Sequence, residues 1–307
     1  MRDSFISSIY RVTKANRNVM CLVGDIGAFL LRDYIKEFPL NYYNLGVAEA
    51  NMIGVAAGLS MAGKIPFVYT ITPFVTARCY EQIKVDVCYN RSNVKLVGIG
   101  SGVSYGTMGP SHHSLEDIAI MGALPNMVII SPSDPQEAEE AVLAAAKHIG
   151  PVYIRLTLTS TSLNYKRGRF QIGRGRIVKK GTNTAIIATG DMVGLALEAA
   201  KILNRENINC YVVNMHTIKP IDETLIKKLS RNCKAIVSIE EHSVIGGLGS
   251  AVSRVVSQYR DNKAILKIMG FKDVFVKGYS QDKMKIFKKY GLSVNHLVKE
   301  MKKLYFS

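Results

Sequence analysis

The chain has 307 residues, of which 48% are hydrophobic and 21% charged, a composition typical of a globular protein with a sizeable core. The N-terminus has no basic segment followed by an apolar one, so no secretory signal is expected. The net charge of +16 is spread along the chain without a groove-entering motif. We therefore expect anionic small molecules or an acidic partner chain as ligands, and no nucleic acid.

The longest nearly uncharged run and the cysteines argue against two further classes, membrane-spanning proteins and proteins with a cysteine metal site. The run from Asn41 to Met61 contains Glu49 and several glycines, so it predicts a buried core helix and no membrane span. The five cysteines are scattered and never in CxxC spacing. They indicate reduced thiols in a cytoplasmic protein and no cysteine metal site.

Apolar strand patterns alternate with helical patterns through residues 1–165. The predicted strands are NVMCLVG, IPFVYT, VKLVGIG, MVIISPSD and PVYIRL. The predicted helices are Asp3–Lys14, Ala48–Met61, Val75–Tyr89, Ser114–Met121 and Pro135–His148. Strict alternation gives a parallel sheet covered on both faces, so residues 1–165 predict an α/β domain.

Residues 166–180 are rich in Gly, Arg and Lys and lack apolar periodicity, which predicts a linker. Alternation then resumes, so residues 181–307 predict a second, smaller α/β domain with a mainly parallel sheet. Its predicted strands are TAIIAT, NCYVVNM, KAIVSIE and ILKIMG. Its predicted helices are Met192–Leu203, Asp222–Leu229, one from Gly249 and two at the C-terminus.

Glu49 is the only charged residue between Gly46 and Ala62, where most neighbours are small or apolar. An ionised carboxylate in such surroundings is costly unless something pairs with it. The simpler interpretation is an acid in the first turn of a helix, where the helix dipole favours it. The functional interpretation is a buried carboxyl that shares a proton with a bound base.

Two adjacent histidines, His112 and His113, precede a predicted helix in the segment GTMGPSHHSLED. Adjacent side chains point in different directions, so the pair cannot chelate one metal as residues at i and i+4 do. One histidine can orient the loop while the other lies in solvent. Alternatively, one imidazole faces a cleft and donates protons or hydrogen bonds there.

Arg155 is a lone charge near the end of the apolar strand PVYIR. Ligands of parallel sheets bind beyond the carboxyl ends of strands, so a phosphate-binding arginine and a buried ion pair both remain open. The glycines of EEHSVIGGLGSAV do not match a dinucleotide motif and indicate close strand–helix packing. The sequence has no Walker-type loop and no G-x-S-x-G elbow.

Together these segments resemble the C-terminal half of the transketolase family of thiamin-diphosphate enzymes. The resemblance follows the family's order over essentially the whole chain. It implies a pyrimidine-binding domain followed by a transketolase C-terminal domain. The segments that carry it are GVAEANMIGVAAGLSMAGKIPFVYT, RCYEQIK, GPSHHSLEDIAIMGALPNMVIISPSDPQEA, IIATG, INCYVVNMHTIKPID, EEHSVIGGLGSAVS and KYGLSVNHLVKEMKKL.

The resemblance implies roles for individual residues. In that family the glutamate matching Glu49 hydrogen-bonds the pyrimidine ring of the cofactor and promotes loss of the thiazolium proton. A two-carbon unit then passes from a ketose to an aldose. His112 matches a catalytic histidine that contacts substrate. The other implied residues are Asp25, Ile26, Ile71 and Phe74 at the cofactor, and Arg2 and Arg155 at a sugar phosphate.

Three positions depart from the family pattern. Met108 replaces a substrate-contacting aspartate, Phe29 replaces a phosphate-contacting serine, and Gly100 stands near the place of a further histidine. These departures imply a donor or acceptor other than the ordinary pentose phosphates, in a specialised carbohydrate pathway.

The sequence lacks the GDG…N segment that, in the family, holds the diphosphate through Mg²⁺. The resemblance therefore implies a split enzyme, in which Mg²⁺ and the diphosphate are held by an N-terminal partner subunit. It also implies self-association and an α2β2 assembly. Alternatives are the β chain of a 2-oxo acid dehydrogenase, a deoxyxylulose-phosphate synthase-like fragment and a non-catalytic assembly protein. Arg2 and Arg155 favour a sugar phosphate over a small oxo acid.

Overall fold

The computed structural model describes residues 1–158, 161–165, 167–277, 280 and 282–306. The first unit is built from α1 (Arg2–Ala15), β1 (Val19–Val23), α2 (Arg32–Glu37), β2 (Tyr42–Asn44), α3 (Glu49–Met61), β3 (Ile65–Ile71), α4 (Thr72–Thr76), α5 (Tyr80–Gln82), a π-helix (Ile83–Tyr89), β4 (Lys95–Ile99), α6 (Asp117–Ala123), β5 (Val128–Ile130), α7 (Pro135–Lys147) and β6 (Val152–Leu156). The second unit is built from β7 (Arg176–Lys179), β8 (Thr184–Ala188), α8 (Met192–Arg205), β9 (Cys210–Asn214), β10 (Thr217–Lys219), α9 (Glu223–Asn232), β11 (Ala235–Ser243), α10 (Leu248–Gln258), β12 (Ile265–Phe271), α11 (Lys283–Lys289) and α12 (Val294–Phe306).

The strands form two mainly parallel sheets, as the alternation predicts. The first sheet has the order β10-β5-β6-β4-β3-β1-β2, and the second has the order β12-β11-β8-β9-β7. All pairings are parallel except β10 with β5 and β7 with β9, which are antiparallel. Each sheet has a hydrophobic cluster on both faces, which explains why the central strands are mainly apolar in sequence.

The structure differs from the predicted elements in several places. The predicted helix Val75–Tyr89 is divided into α4, α5 and the π-helix. The predicted linker, 166–180, contains strand β7. Strand β10, which follows β9, leaves the second sheet and extends the first one. A strand from the C-terminal part of the chain thus forms one edge of the first sheet.

Helix α3 is not buried on all sides, contrary to the prediction of a core helix. Met52, Ile53, Ala56 and Ala57 are buried against the first sheet. The opposite face carries small and apolar residues that are exposed in the single chain, namely Ala50, Gly54, Gly58 and Met61. No helix in the described part of the chain has both the length and the apolar character needed to cross a membrane.

A buried ion pair lies where the two units meet. Nε of Arg155, on β6, is 2.7 Å from Oδ2 of Asp117, and the hydroxyl of Tyr153 donates to the same oxygen at 2.6 Å. Nη2 of Arg155 donates to the carbonyl of Glu241, on β11, at 2.9 Å. Burial alone would raise the pKa of Asp117, but the charge of Arg155 and these hydrogen bonds lower it below its ordinary value.

We expect Asp117→Asn to lower the free energy of unfolding by about 3 kcal/mol near neutral pH, because the guanidinium of Arg155 would stay buried without its hydrogen-bonded counter-charge. In the wild type this contribution is present above the unfolded pKa of about 4 and is lost as the pH falls through the lower folded pKa. Urea unfolding at several pH values measures both effects. The exposed Asp33→Asn is the matched control, and a loss below about 1 kcal/mol for Asp117→Asn would contradict the prediction.

Candidate functional site

Loops that follow four adjacent strands meet at one edge of the first sheet. Asp25 follows β1, Glu49 follows β2, Phe74 follows β3 and His112 lies in the loop after β4. These four strands are parallel neighbours in the order β4-β3-β1-β2. Their carboxyl ends lie on the same edge, which is where ligands of parallel sheets bind. The fold thus places four of the predicted site residues in neighbouring loops.

Glu49 is a buried acid at the start of α3, with 4% of its surface exposed. Its Oε2 accepts a hydrogen bond from Nη1 of the half-exposed Arg78 at 3.2 Å. Within the described residues no donor bonds Oε1. Glu49 lies in a first helical turn, as the simpler interpretation expects, and it is also buried; that it shares a proton with a bound base stays a prediction.

Phe74 links this carboxylate to His112. The guanidinium carbon of Arg78 lies 3.6 Å from the centroid of the Phe74 ring. The His112 ring meets Phe74 edge-on at 5.1 Å between centroids, and Tyr105 packs on the same histidine at 5.7 Å. Glu49, Arg78, Phe74 and His112 therefore form one continuous set of contacts.

Two histidines that are adjacent in sequence have different surroundings. The His112 ring is half-buried, and its Nδ1 lies 3.0 Å from the hydroxyl of Ser111. His113 is 5% exposed, and neither ring nitrogen is hydrogen-bonded within the described residues. Burial lowers the pKa of His113, which favours the neutral ring. Only His112 faces the candidate site.

Asp25 lies in the loop after β1, which Asn44 joins to the loop after β2 by hydrogen bonds. The backbone of Asp25 is in the left-handed region, with φ of 53°. Oδ1 of Asn44 accepts from the N–H groups of Asp25 and Gly46, both at 3.0 Å, and its Nδ2 donates to Oδ1 of Asp25 at 3.1 Å. The half-buried Ile26 follows directly. This bonding holds the loops after β1 and β2 in a common arrangement.

The remaining predicted residues lie at the border of the site or outside it. Ile71 is the half-buried last residue of β3 and precedes α4. Arg2 begins α1 and bonds the side chain of Asp3. Burial raises the pKa of Tyr105, and the charge of Arg2 opposes this shift.

Arg155 does not occupy the place expected of a phosphate-binding residue. Its side chain is 3% exposed, and its Nε and Nη2 bond Asp117 and the carbonyls of Ser114 and Glu241. Two of the three guanidinium nitrogens of Arg155 are therefore engaged in bonds within the protein. The structure thus shows the ion pair that the sequence left open, and we leave Arg155 out of the proposed substrate site.

Three residues of this site, Arg78, Asn44 and Tyr105, are not among those predicted from the sequence. Arg78 is an isolated charge in the run VTARCY, the same signal that singled out Glu49. Asn44 and Tyr105 carry no such signal, because asparagine and tyrosine are common in loops. Among the described residues no group of three or more His, Cys, Asp or Glu side chains could hold a metal ion.

Comparison with known proteins decides the family. Residues 1–162 match the transketolase pyrimidine binding domain, and residues 173–297 match the transketolase C-terminal domain. The chain belongs to the transketolase family. This membership confirms the predicted family and the predicted pair of α/β folds.

Several relatives resemble this transketolase-family chain over almost their whole length. A putative transketolase C-terminal section of Methanocaldococcus jannaschii is 40% identical over 311 residues, which cover 99% of this chain and 96% of that protein. One of the subunits of the apulose-4-phosphate transketolase of Actinobacillus succinogenes is 37% identical over 302 residues, with coverages of 97% and 94%. A split-gene transketolase solved as an inactive β4 tetramer has a TM-score of 0.90 at 38% identity, and covers 99% of this chain and 97% of its own.

We expect Asn44→Ala to destabilise the edge of this transketolase-family domain locally, since it removes the hydrogen bonds between the loops after β1 and β2. The free energy of unfolding should fall by about 1 kcal/mol, and the amides of Asp25 and Gly46 should exchange faster. Urea unfolding and amide exchange measure the two effects. Asn51→Ala, on the exposed face of α3, is the control. Unchanged exchange at both amides would contradict the assignment of Asn44.

Proposed function

We propose that this chain is the C-terminal subunit of a split, thiamin-diphosphate-dependent transketolase-like enzyme. It transfers a two-carbon ketol unit from a ketose to an aldose, each a sugar or sugar phosphate. The observation that carries the proposal is Glu49, a nearly inaccessible carboxylate at the carboxyl edge of a parallel sheet with one oxygen unbonded by described residues. Membership in the transketolase family supports the choice of cofactor.

The residues at this edge fit the aminopyrimidine end of the cofactor. Such a ring carries a nitrogen that can share a proton with a carboxyl oxygen, and Oε1 of Glu49 is available for that bond. Phe74 supplies an aromatic surface next to it. Asp25, Ile26 and Ile71 border the same edge from the loops after β1 and β3.

When bound, thiamin diphosphate supplies the carbanion chemistry that the side chains of proteins lack. Oε1 of Glu49 would hold the pyrimidine nitrogen through a shared proton, and burial of the carboxyl group would keep water from competing for that bond. The cation of Arg78 pairs with Oε2 and makes the buried charge tolerable. His112, fixed by Ser111, Phe74 and Tyr105, offers its other ring nitrogen to a substrate oxygen.

A second chain completes the site in this proposal. The sequence has no GDG…N segment, so the diphosphate and Mg²⁺ are held by an N-terminal partner. One similar chain is described as a C-terminal section and another as one subunit of a transketolase, which supports a two-chain enzyme. The inactivity of the similar β4 tetramer is consistent with a β chain that needs its partner.

We also propose that the chain associates with itself in an α2β2 complex. The small residues on the open face of α3, Ala50, Gly54 and Gly58, allow another helix to approach closely. A cytoplasmic location is proposed from the cysteines, which are all free and buried.

The substrates proposed are those of a specialised carbohydrate pathway. Met108 and Phe29, which depart from the family pattern, are exposed on the loops after β4 and β1. Two apolar groups in place of polar ones alter what these loops can hydrogen-bond. With Arg155 buried, Arg2 is the remaining predicted contact for a substrate anion, so we include both sugars and sugar phosphates.

We expect Glu49→Gln to lower kcat of the reconstituted two-chain complex by roughly 10²- to 10⁴-fold, because the amide cannot share a proton with the pyrimidine ring. Ketol transfer is measured with a panel of ketose donors and aldose acceptors, and oxo-acid decarboxylation is followed in the same preparation. The exposed Glu81→Gln, on α5, is the matched control and should keep full activity.

Full activity of the Glu49→Gln complex would overturn the proposed function. Oxo-acid decarboxylation without ketol transfer would instead assign the chain to a 2-oxo acid dehydrogenase.

A further inference from the structure

The loop that carries His112 is closed at its base by a short antiparallel bridge. The N–H of Gly102 donates to the carbonyl of Ser114 at 3.1 Å, and the N–H of Ser114 donates back at 2.9 Å. Residues 102–114, which we name the histidine loop, extend from this bridge. The position of His112 therefore depends on what holds the two ends of the loop.

The first end of the histidine loop is held by Glu241, a side chain of β11 in the second unit. Oε1 of Glu241 accepts the backbone N–H of Val103 at 2.9 Å, across a separation of 138 residues. Glu241 is 2% exposed, and its Oε2 has no hydrogen bond within the described residues. Its carboxyl group thus bonds the loop backbone directly, in a place that water does not reach.

The backbone of the loop is shaped to admit this carboxyl group. A Cβ atom added to Gly102 would lie 2.2 Å from Oε1 of Glu241, and φ of Gly102 is +64°. Glycine is therefore needed there both for the conformation and for the close approach. A Cβ at Gly106 would lie 2.1 Å from the carbonyl of Ser280, so the loop meets the second unit at another point as well.

The other end of the histidine loop is held by the same strand. The N–H of Ser243 donates to the carbonyl of Leu115 at 2.8 Å. Nη2 of Arg155 bridges the carbonyls of Ser114 and Glu241 at 3.2 and 2.9 Å. Both ends of the loop are therefore bonded to the second unit, on or beside β11.

We propose that Glu241 is a positioning residue, which acts from the second unit to hold the histidine loop so that His112 lies beside Phe74. Glu241 acts through the backbone N–H of Val103 and does not itself contact the site. The consequence for activity rests on the proposed function, whereas the consequence for the loop does not.

Amide exchange of the free chain tests the effect on the loop. Glu241→Met removes the acceptor at similar volume, so the amides of residues 103–109 and 111–113 should exchange about tenfold faster or more. Glu241→Gln keeps an acceptor oxygen and should behave as the wild type. Gly102→Ala introduces a Cβ atom that clashes with the Glu241 carboxyl group, so it should also speed exchange in the loop. It serves as a second variant if Glu241→Met does not fold.

The neighbouring Glu240→Met is the matched control. Glu240 is also buried, but it accepts the N–H groups of Leu248 and Gly249 at 2.6 and 2.7 Å, at the start of α10. It should leave exchange in the histidine loop unchanged. Unchanged exchange in Glu241→Met, equal acceleration in Glu240→Met, or a Glu241→Gln variant as perturbed as Glu241→Met would overturn the proposal.

A double-mutant cycle in the reconstituted complex tests the effect on activity. Glu241→Met should lower kcat/KM about tenfold or more with His112 present, and by less than about twofold when His112→Ala has already removed the imidazole. If Glu241→Met lowered kcat/KM by the same factor with and without the His112 imidazole, Glu241 would not act through His112. A wild-type complex without ketol transfer would refute the proposed function, while the exchange experiment still decides the role of Glu241.

Discussion

The buried carboxylate of Glu49 is the interaction on which the candidate site depends. A charge at this position, 4% exposed, is tolerated because Arg78 reaches it from the next loop. Arg78 in turn lies on Phe74, and Phe74 contacts His112. The parallel sheet makes this possible, because it brings the ends of β2, β3 and β4 to one edge although their loops are far apart in sequence.

Much of the fold could be predicted because its signals are local. The strands around Cys21, Leu96 and Ile187 are mainly apolar, since helices cover both faces of each sheet. Helix α7 begins as predicted, with Asp134 accepting the N–H of Glu137 and Pro135 in the first turn. The interruption between Val75 and Tyr89 was not predicted, because the apolar pattern of a π-helix resembles that of an α-helix over so short a stretch.

The features that could not be predicted depend on distant partners. For Arg155 the sequence leaves a phosphate contact and a buried ion pair open, and only the fold places Asp117, 38 residues away, beside it. Strand β10 is three residues long, and only its pairing with β5 of the other sheet defines it. Arg78 and Glu49 are separated by 29 residues, and no periodicity connects them. For the candidate site, the sequence could therefore name most of the residues but not the contacts that join them.

The second unit contributes directly to the first sheet and to the candidate site. Lys219 donates to the carbonyls of Gly122 and Leu124 at the end of α6, and β10 extends the first sheet. Strand β11 bonds both ends of the loop that carries His112. The arrangement of the site therefore depends on hydrogen bonds from both units.

The role of Glu49 is tested most directly by the structure of this chain in complex with its N-terminal partner and thiamin diphosphate. We predict a hydrogen bond between the carboxyl group of Glu49 and the pyrimidine ring, with the diphosphate and Mg²⁺ held by the partner. A Glu49 side chain that faces bulk solvent in the assembled complex, or a cofactor bound wholly within this chain, would contradict that role.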